Sequence, residues 1–201
     1  IGKIGGNLVK HFKNIYFMGK FSGDENDLPM REEHRPGAVR FKEPENMNKL
    51  AIVANILSIV IMAAAIILLF ARCFAVGKFS GISFWAYILP LGTLYPHEII
   101  HGLCFKGKAY MYTNLKQGMM FVTGGEDFTK TRFIIMSLMP NIIFGFLPYI
   151  IFMINPEWVS LGMFGAFCIS MGAGDYINVF NAATQMPKGS LCYMHGFGTW
   201  W

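Results

Sequence analysis

Residues 50–74 read LAIVANILSIVIMAAAIILLFARCF, an apolar run whose one charge, Arg72, stands near its end. This stretch constrains the fold more than any other. A bilayer core of about 30 Å is crossed by about 20 helical residues, so the run is long enough to span it. Arg72 can carry its guanidinium to the interface on its aliphatic stem. Charged residues make up 14% of the 201-residue chain, well under the roughly 25% of soluble domains, and apolar residues make up 54%. The expectation is a membrane protein.

Three more apolar segments follow: Ile82–Phe105, Arg132–Ile154 and Trp158–Ala183, each interrupted by Pro or ionisable residues. The predicted fold is an all-α membrane protein with four transmembrane helices over 50–183. A polar cytoplasmic arm at 1–49 and a cytoplasmic tail at 184–201 flank it. The arm is mixed in charge, so no signal peptide is expected there. A short amphipathic helix is expected near Leu8–Phe17, followed by irregular chain. Between the second and third segments, AYMYTNL and MMFVT carry strand-forming residues with KQG between them, which predicts a small β-hairpin. Beside a protease site, such an edge could hold an extended substrate by strand addition.

Fourteen of the 17 Lys and Arg fall in 1–49, 106–131 and the tail. By the positive-inside rule that face is cytoplasmic, with both termini inside. Topology accounts for the net charge of +5, and nucleic acid is not required. The expected partners are the lipid bilayer and a membrane-anchored protein or peptide substrate. The four Cys, at 73, 104, 168 and 192, show no CxxC and no regular spacing, so no disulfide framework is expected. Trp200 and Trp201 read as interface anchors.

Inside the second apolar segment stands YPHEIIHG, residues 95–102. His97 and His101, four apart on a helix, share a face and can aim at one ion. Glu98 lies about 100° around from His97, suited to a general base for a metal-activated water. Ionisable groups in a span are costly unless they hold something. The other reading of the trio is a structural hydrogen-bond cluster.

Zinc takes a third protein ligand and keeps one position open. Asp175 is the only other acid within a predicted span. It lies eight residues before Ala183, as His97 lies nine before Lys106, so the two sit at similar depth. A structural hydrogen bond from Tyr or Asn is the alternative for Asp175. Gly162, Ala166, Ser170 and Gly174 repeat every four residues and would let the fourth segment come close to the second. Pro140 removes one helix hydrogen bond and frees the Met136 carbonyl. Asn141 and Asn178 are candidates to orient a substrate carbonyl or an oxyanion. Pro90 and Pro96 can bend the second segment near the motif. His195, in the Gly-rich tail, ranks below Asp175 as a ligand.

HEIIHG, SLMPNIIFG, AGDYINVF and MPKGSLCYMHGFGTWW, together with FKEPENMNKLAIVANI, resemble a bacterial zincin peptidase family of membrane HExxH proteins. That family is distantly similar to site-2 protease-type intramembrane metalloproteases. The resemblance runs from about residue 20 onward. It implies zinc held by His97, His101 and Asp175, with Glu98 as base. Site-2 proteases carry LDG where this chain carries GDYIN. The expected function is a zinc metallopeptidase working within or at the membrane. The alternative is a catalytically silent metal-binding or regulatory membrane protein. A small transporter has little support, because no internal repeat is visible.

Overall fold

A computed structural model describes residues 2–4, 7–9, 11–28, 34–44, 46–114 and 116–201. The apolar run forms one long helix, α1 (Met47–Val76). Asn46 caps its start, accepting from the Lys49 N–H at 3.0 Å. Gly77 ends it at φ +64°, a left-handed turn that glycine adopts without strain. Ile52, Ile56, Ile59, Val60, Ile67 and Leu68 all stay exposed along α1. A second helical stretch, Lys130–Ile154, is made of α4 (Lys130–Asn141), a π-helical turn at Ile142–Phe146, and α5 (Leu147–Ile154).

Among the described residues, only Asn48–Val76 and Lys130–Ile154 are long and apolar enough to cross a membrane, which corrects the expectation of four transmembrane helices. The segment Ile82–Phe105 breaks into α2 (Trp85–Gly92) and α3 (Leu94–Leu103). Pro96 has no N–H to offer the Gly92 carbonyl, and its ring crowds that carbonyl, so the helix stops and restarts at Thr93. The segment Trp158–Ala183 breaks at Gly172 into α6 (Val159–Met171) and α7 (Ala173–Gln185). Thirteen residues rise about 20 Å, short of a bilayer core.

The all-α expectation is also overturned, because three sheets gather at one end of the helices. The predicted hairpin exists as β5 (Ala109–Asn114) and β6 (Met119–Thr123), paired antiparallel. It belongs to a larger sheet ordered β3-β4-β5-β6, in which β4 (Ile15–Lys20) runs parallel to β5 and β3 (His11–Phe12) lies outside it. The helix expected near Leu8–Phe17 is therefore replaced by strand: β1 (Gly2–Ile4) pairs with β2 (Asn7–Val9), and β3 with β4. The run Ile15-Tyr16-Phe17 is β-branched and aromatic, and pairing with β5 outweighs its weak helical pattern.

The tail folds as β8 (Leu191–His195) and β9 (Gly198–Trp200), with β7 (Phe128–Thr129) alongside β8. Residues 39–41 zip onto its end: Val39 N donates to Trp201 O at 2.8 Å and Phe41 N to Thr199 O at 2.9 Å. Trp201 packs on the core formed around Ile15, Phe41, Phe128 and Phe133, and Trp200 lies 4.1 Å from the His34 ring. The two tryptophans are thus half-buried against the protein, Trp201 on the core and Trp200 on His34.

A second core, around Leu69, Phe152, Val159 and Ala166, lies at the far end of the helices. The small residues of α6 act here rather than toward the HEIIH helix. A Cβ at Gly162 would strike the Phe152 ring of α5, and one at nearby Gly165 the Tyr149 backbone nitrogen at 2.7 Å and the Gly145 carbonyl at 2.9 Å. The close approach is therefore to the π turn and α5, and α7 packs chiefly on α4.

Candidate metal centre

Three side chains converge between the two cores. His97 Nε2 lies 3.1 Å from Asp175 Oδ2, His101 Nε2 lies 3.1 Å from Asp175 Oδ1, and the two Nε2 atoms are 3.1 Å apart. The i, i+4 spacing on α3 sets the two rings edge to face, with centroids 4.8 Å apart. Asp175, in the first turn of α7, arrives from across the bundle. The depth match had paired these groups, and the fold brings them together.

The donor atoms of the trio can hold a cation. His101 Nδ1 meets the Met136 carbonyl at 2.9 Å. A carbonyl only accepts, so Nδ1 carries the proton, and in the neutral ring Nε2 presents a lone pair to His97 and Asp175. Two imidazole nitrogens and a carboxylate facing one point need a shared positive charge between them, which a metal ion or a ring proton can supply. Zinc bonds of about 2.05 Å in tetrahedral geometry place ligand atoms about 3.3 Å apart. The observed 3.1 Å is close to that edge, and two His with one carboxylate is a common zinc donor set. The residues fit zinc.

The supporting contacts follow from local sequence. Pro140, lacking an N–H, leaves the Met136 carbonyl free within α4, and His101 takes it. One residue on, Asn141 is fully buried and donates through Nδ2 to Asp175 Oδ2 at 2.7 Å and to Ser137 O at 3.2 Å. The Tyr176 hydroxyl donates to Ile169 O at 2.9 Å and lies 3.4 Å from Asn141 Oδ1. Gly172 makes room for this network, since a Cβ there would overlap the Asn141 carboxamide. The motif helix is fixed at its C-terminal end by Asn14, whose Nδ2 donates to Gly102 O, Phe105 O and Gly107 O at 2.9–3.1 Å. Arg132 donates to Cys104 O at 2.7 Å and pairs with Glu126.

Glu98 is 8% exposed, and its carboxylate belongs with His97 and His101 to a group whose ligand atoms lie within 4.8 Å. Two cavities, of about 200 and 240 Å³, meet at Glu98 and Asp175. Strand β6 lines both, and among the described residues it is an edge strand. Asn178 lines the first cavity, whereas Asn141 is turned to Asp175 and sealed from solvent. His195 stands apart in β8, with its ring 4.2 Å from that of His34.

Sequence reasoning missed Tyr176, Gly172, Asn14 and Glu43. Glu43 precedes α1 and lines the first cavity with Glu98 and His101. Burial pushes its carboxyl up to about 7, against a lowering by the Thr199 N–H and by Arg40. No local pattern marks it, because the pairing of 39–41 with the tail delivers it.

Comparison with curated proteins and with solved structures gave no match. The model of a family described as "Putative zincin peptidase" matches residues 90–191, which carry the motif, Pro140, Asn141 and Asp175. The match spans half of the chain and includes the His97-Glu98-His101 group that could hold a metal, and the chain belongs to this zincin peptidase family.

Proposed function

We propose that this chain is a zinc metallopeptidase that cuts peptide bonds within or at the membrane. The observation that carries the reading is the trio His97, His101 and Asp175, mutually 3.1 Å apart with Glu98 beside it at the junction of two cavities. When bound there, zinc supplies Lewis-acid polarisation of a water and of the substrate carbonyl. Glu98 takes the proton of the attacking water and passes it to the leaving amine. The Met136 carbonyl holds the His101 ring in its tautomer, and Asn141 holds the Asp175 carboxylate. Asn178 is the amide open to the cavity for the substrate carbonyl. Edge strand β6 offers backbone groups to an extended peptide.

Membrane residence is supported by the exposed aliphatic surface of α1 and by its companion Lys130–Ile154. At the end away from the sheets, Phe74, Phe79, Phe84, Trp85 and Trp158 are exposed near the Lys78–Glu157 ion pair, as in an aromatic belt. The basic residues concentrate at the sheet end, so we read that end, with both termini, as cytoplasmic. The test uses purified protein in detergent: zinc content by elemental analysis, and cleavage of membrane-anchored peptides. Wild type should hold about one zinc per chain and cleave, while Glu98→Gln should keep zinc and lose cleavage by at least a hundredfold. Full activity in Glu98→Gln would refute the mechanism. Stoichiometric zinc without cleavage of any membrane protein would favour a silent metal-binding or regulatory protein.

A further inference from the structure

Glu43 is a buried carboxyl that the mechanism does not use. Its side chain is 10% exposed and it lines the same cavity as Glu98, His101 and Asp175. The loop bearing it is held on both sides. Phe41 N donates to Thr199 O at 2.9 Å, and Lys42 N donates to Gln185 Oε1 at 2.7 Å. Glu43 Oε1 accepts from Thr199 N at 2.7 Å. The nearest cation is Arg40, whose Nε stands 3.8 Å off, too far to hydrogen-bond.

The rest of that cavity wall is mainly apolar, with Met119, Met120, Met136, Met194 and Ile177. Glu98 has its task as base, and Asp175 is held by two histidines and Asn141. Glu43 is thus a carboxyl group that the mechanism leaves unused in an apolar substrate cavity, ionised when a cation is brought to it. A desolvated carboxylate whose one ion-pair partner stands 3.8 Å away without a hydrogen bond is under-compensated, and a ligand cation would offset that cost. The same low-dielectric wall would make the contact strong, and would penalise a neutral ligand that left the carboxylate unpaired.

We propose that Glu43 is a specificity residue that binds a positive charge on the substrate, either a basic side chain or a free N-terminal ammonium, beside the scissile bond. The proposal rests on the peptidase reading for its purpose, but cation binding can be measured without turnover. Zinc-loaded Glu98→Gln protein in detergent is titrated with three fluorescent apolar decapeptides of one sequence frame. One is N-acetylated with a central Lys, one is N-acetylated with that Lys acetylated, and one has a free N-terminus with the Lys acetylated.

At least one cationic peptide should bind about tenfold or more tightly than the neutral one, and which one distinguishes side chain from terminus. In Glu43→Gln/Glu98→Gln the advantage should fall below twofold while neutral-peptide affinity holds or rises, because Gln keeps the Thr199 bond and removes the charge. Equal binding of all three, no binding of any, or a preference that survives Glu43→Gln would overturn the proposal. Cleavage by otherwise wild-type protein is scored separately. Cation selection through Glu43 without any cleavage would retire the peptidase reading and leave the cation site standing.

Discussion

Gly172→Ala tests the architecture of the metal centre at a residue that touches no ligand. Its backbone, φ −79° and ψ 15°, suits alanine, so any effect is steric. A Cβ there would overlap the Asn141 carboxamide, with even Nδ2 only 2.7 Å away. The carboxamide oxygen must retreat by more than about 1 Å to clear the methyl, and an amide displaced that far opens its 2.7 Å bond to Asp175 beyond hydrogen-bonding range. Asn141 is fully buried between α4 and α7, so relaxation is limited. Overpacking of this kind costs about 1–3 kcal/mol of stability. Loss of an outer partner to a metal-binding carboxylate costs about 10–100-fold in metal affinity.

The assay is competition for zinc against a chromophoric chelator, with the unfolding midpoint read in parallel. Asn141→Ala should lose zinc affinity to a similar extent. The double variant Gly172→Ala/Asn141→Ala should be no worse than Asn141→Ala alone, because the methyl then enters space the amide has left. Wild-type affinity in Gly172→Ala, or additive losses in the double variant, would refute the reasoning.

Pro140→Ala restores an N–H that can recapture the Met136 carbonyl, so His101 loses its partner. Zinc affinity should fall about 10–100-fold in the same competition assay, with helix stability kept or raised. Gly102→Ala would set a Cβ 2.8 Å from the Ile15 side chain, which is fully buried. The unfolding midpoint should drop by the equivalent of about 1–3 kcal/mol, and Ile15→Val should recover part of it.

Glu43 titrates at about 7 in the folded protein, above its ordinary value of 4.5, so the folded state binds its proton more tightly. Its contribution to stability is present below 4.5 and is lost as pH rises through 7, by up to about 3 kcal/mol. Arg40 beside it stays charged across that window, and Glu98, His101 and Asp175 face it across the cavity. The comparison is therefore between wild type and Glu43→Gln, whose midpoints at pH 5 and pH 8 should differ less. Identical pH dependence in the two would refute it.

The metal centre was legible to the degree that it is local or periodic. His97 and His101 are joined by one helical turn, and Pro140 frees the Met136 carbonyl whatever surrounds it. The depth match even reached Asp175 on another helix, because helical rise is constant. Legibility ended where a residue's role is set by what arrives from elsewhere. Gly172 reads as one glycine among many until Asn141 occupies its missing side chain. Asn141 read as a polar group at membrane depth, and the partner it meets is Asp175. The small-residue stripe implies close packing but carries no address, and the approach it permits at Gly162 is to Phe152 on α5.

The sequence alone determined an apolar helix of membrane length, the β5–β6 hairpin, and a His-Glu-His group able to hold a metal ion. Each follows from bonds and side chains within a few residues. Only the tertiary structure decided that two of four apolar segments are broken and that the arm and tail are strands. It also decided that Glu43, Asn141 and β6 converge on the motif. Those outcomes depend on which backbone groups find partners far along the chain, and on which side chains compete for one space. Neither is written in composition or period.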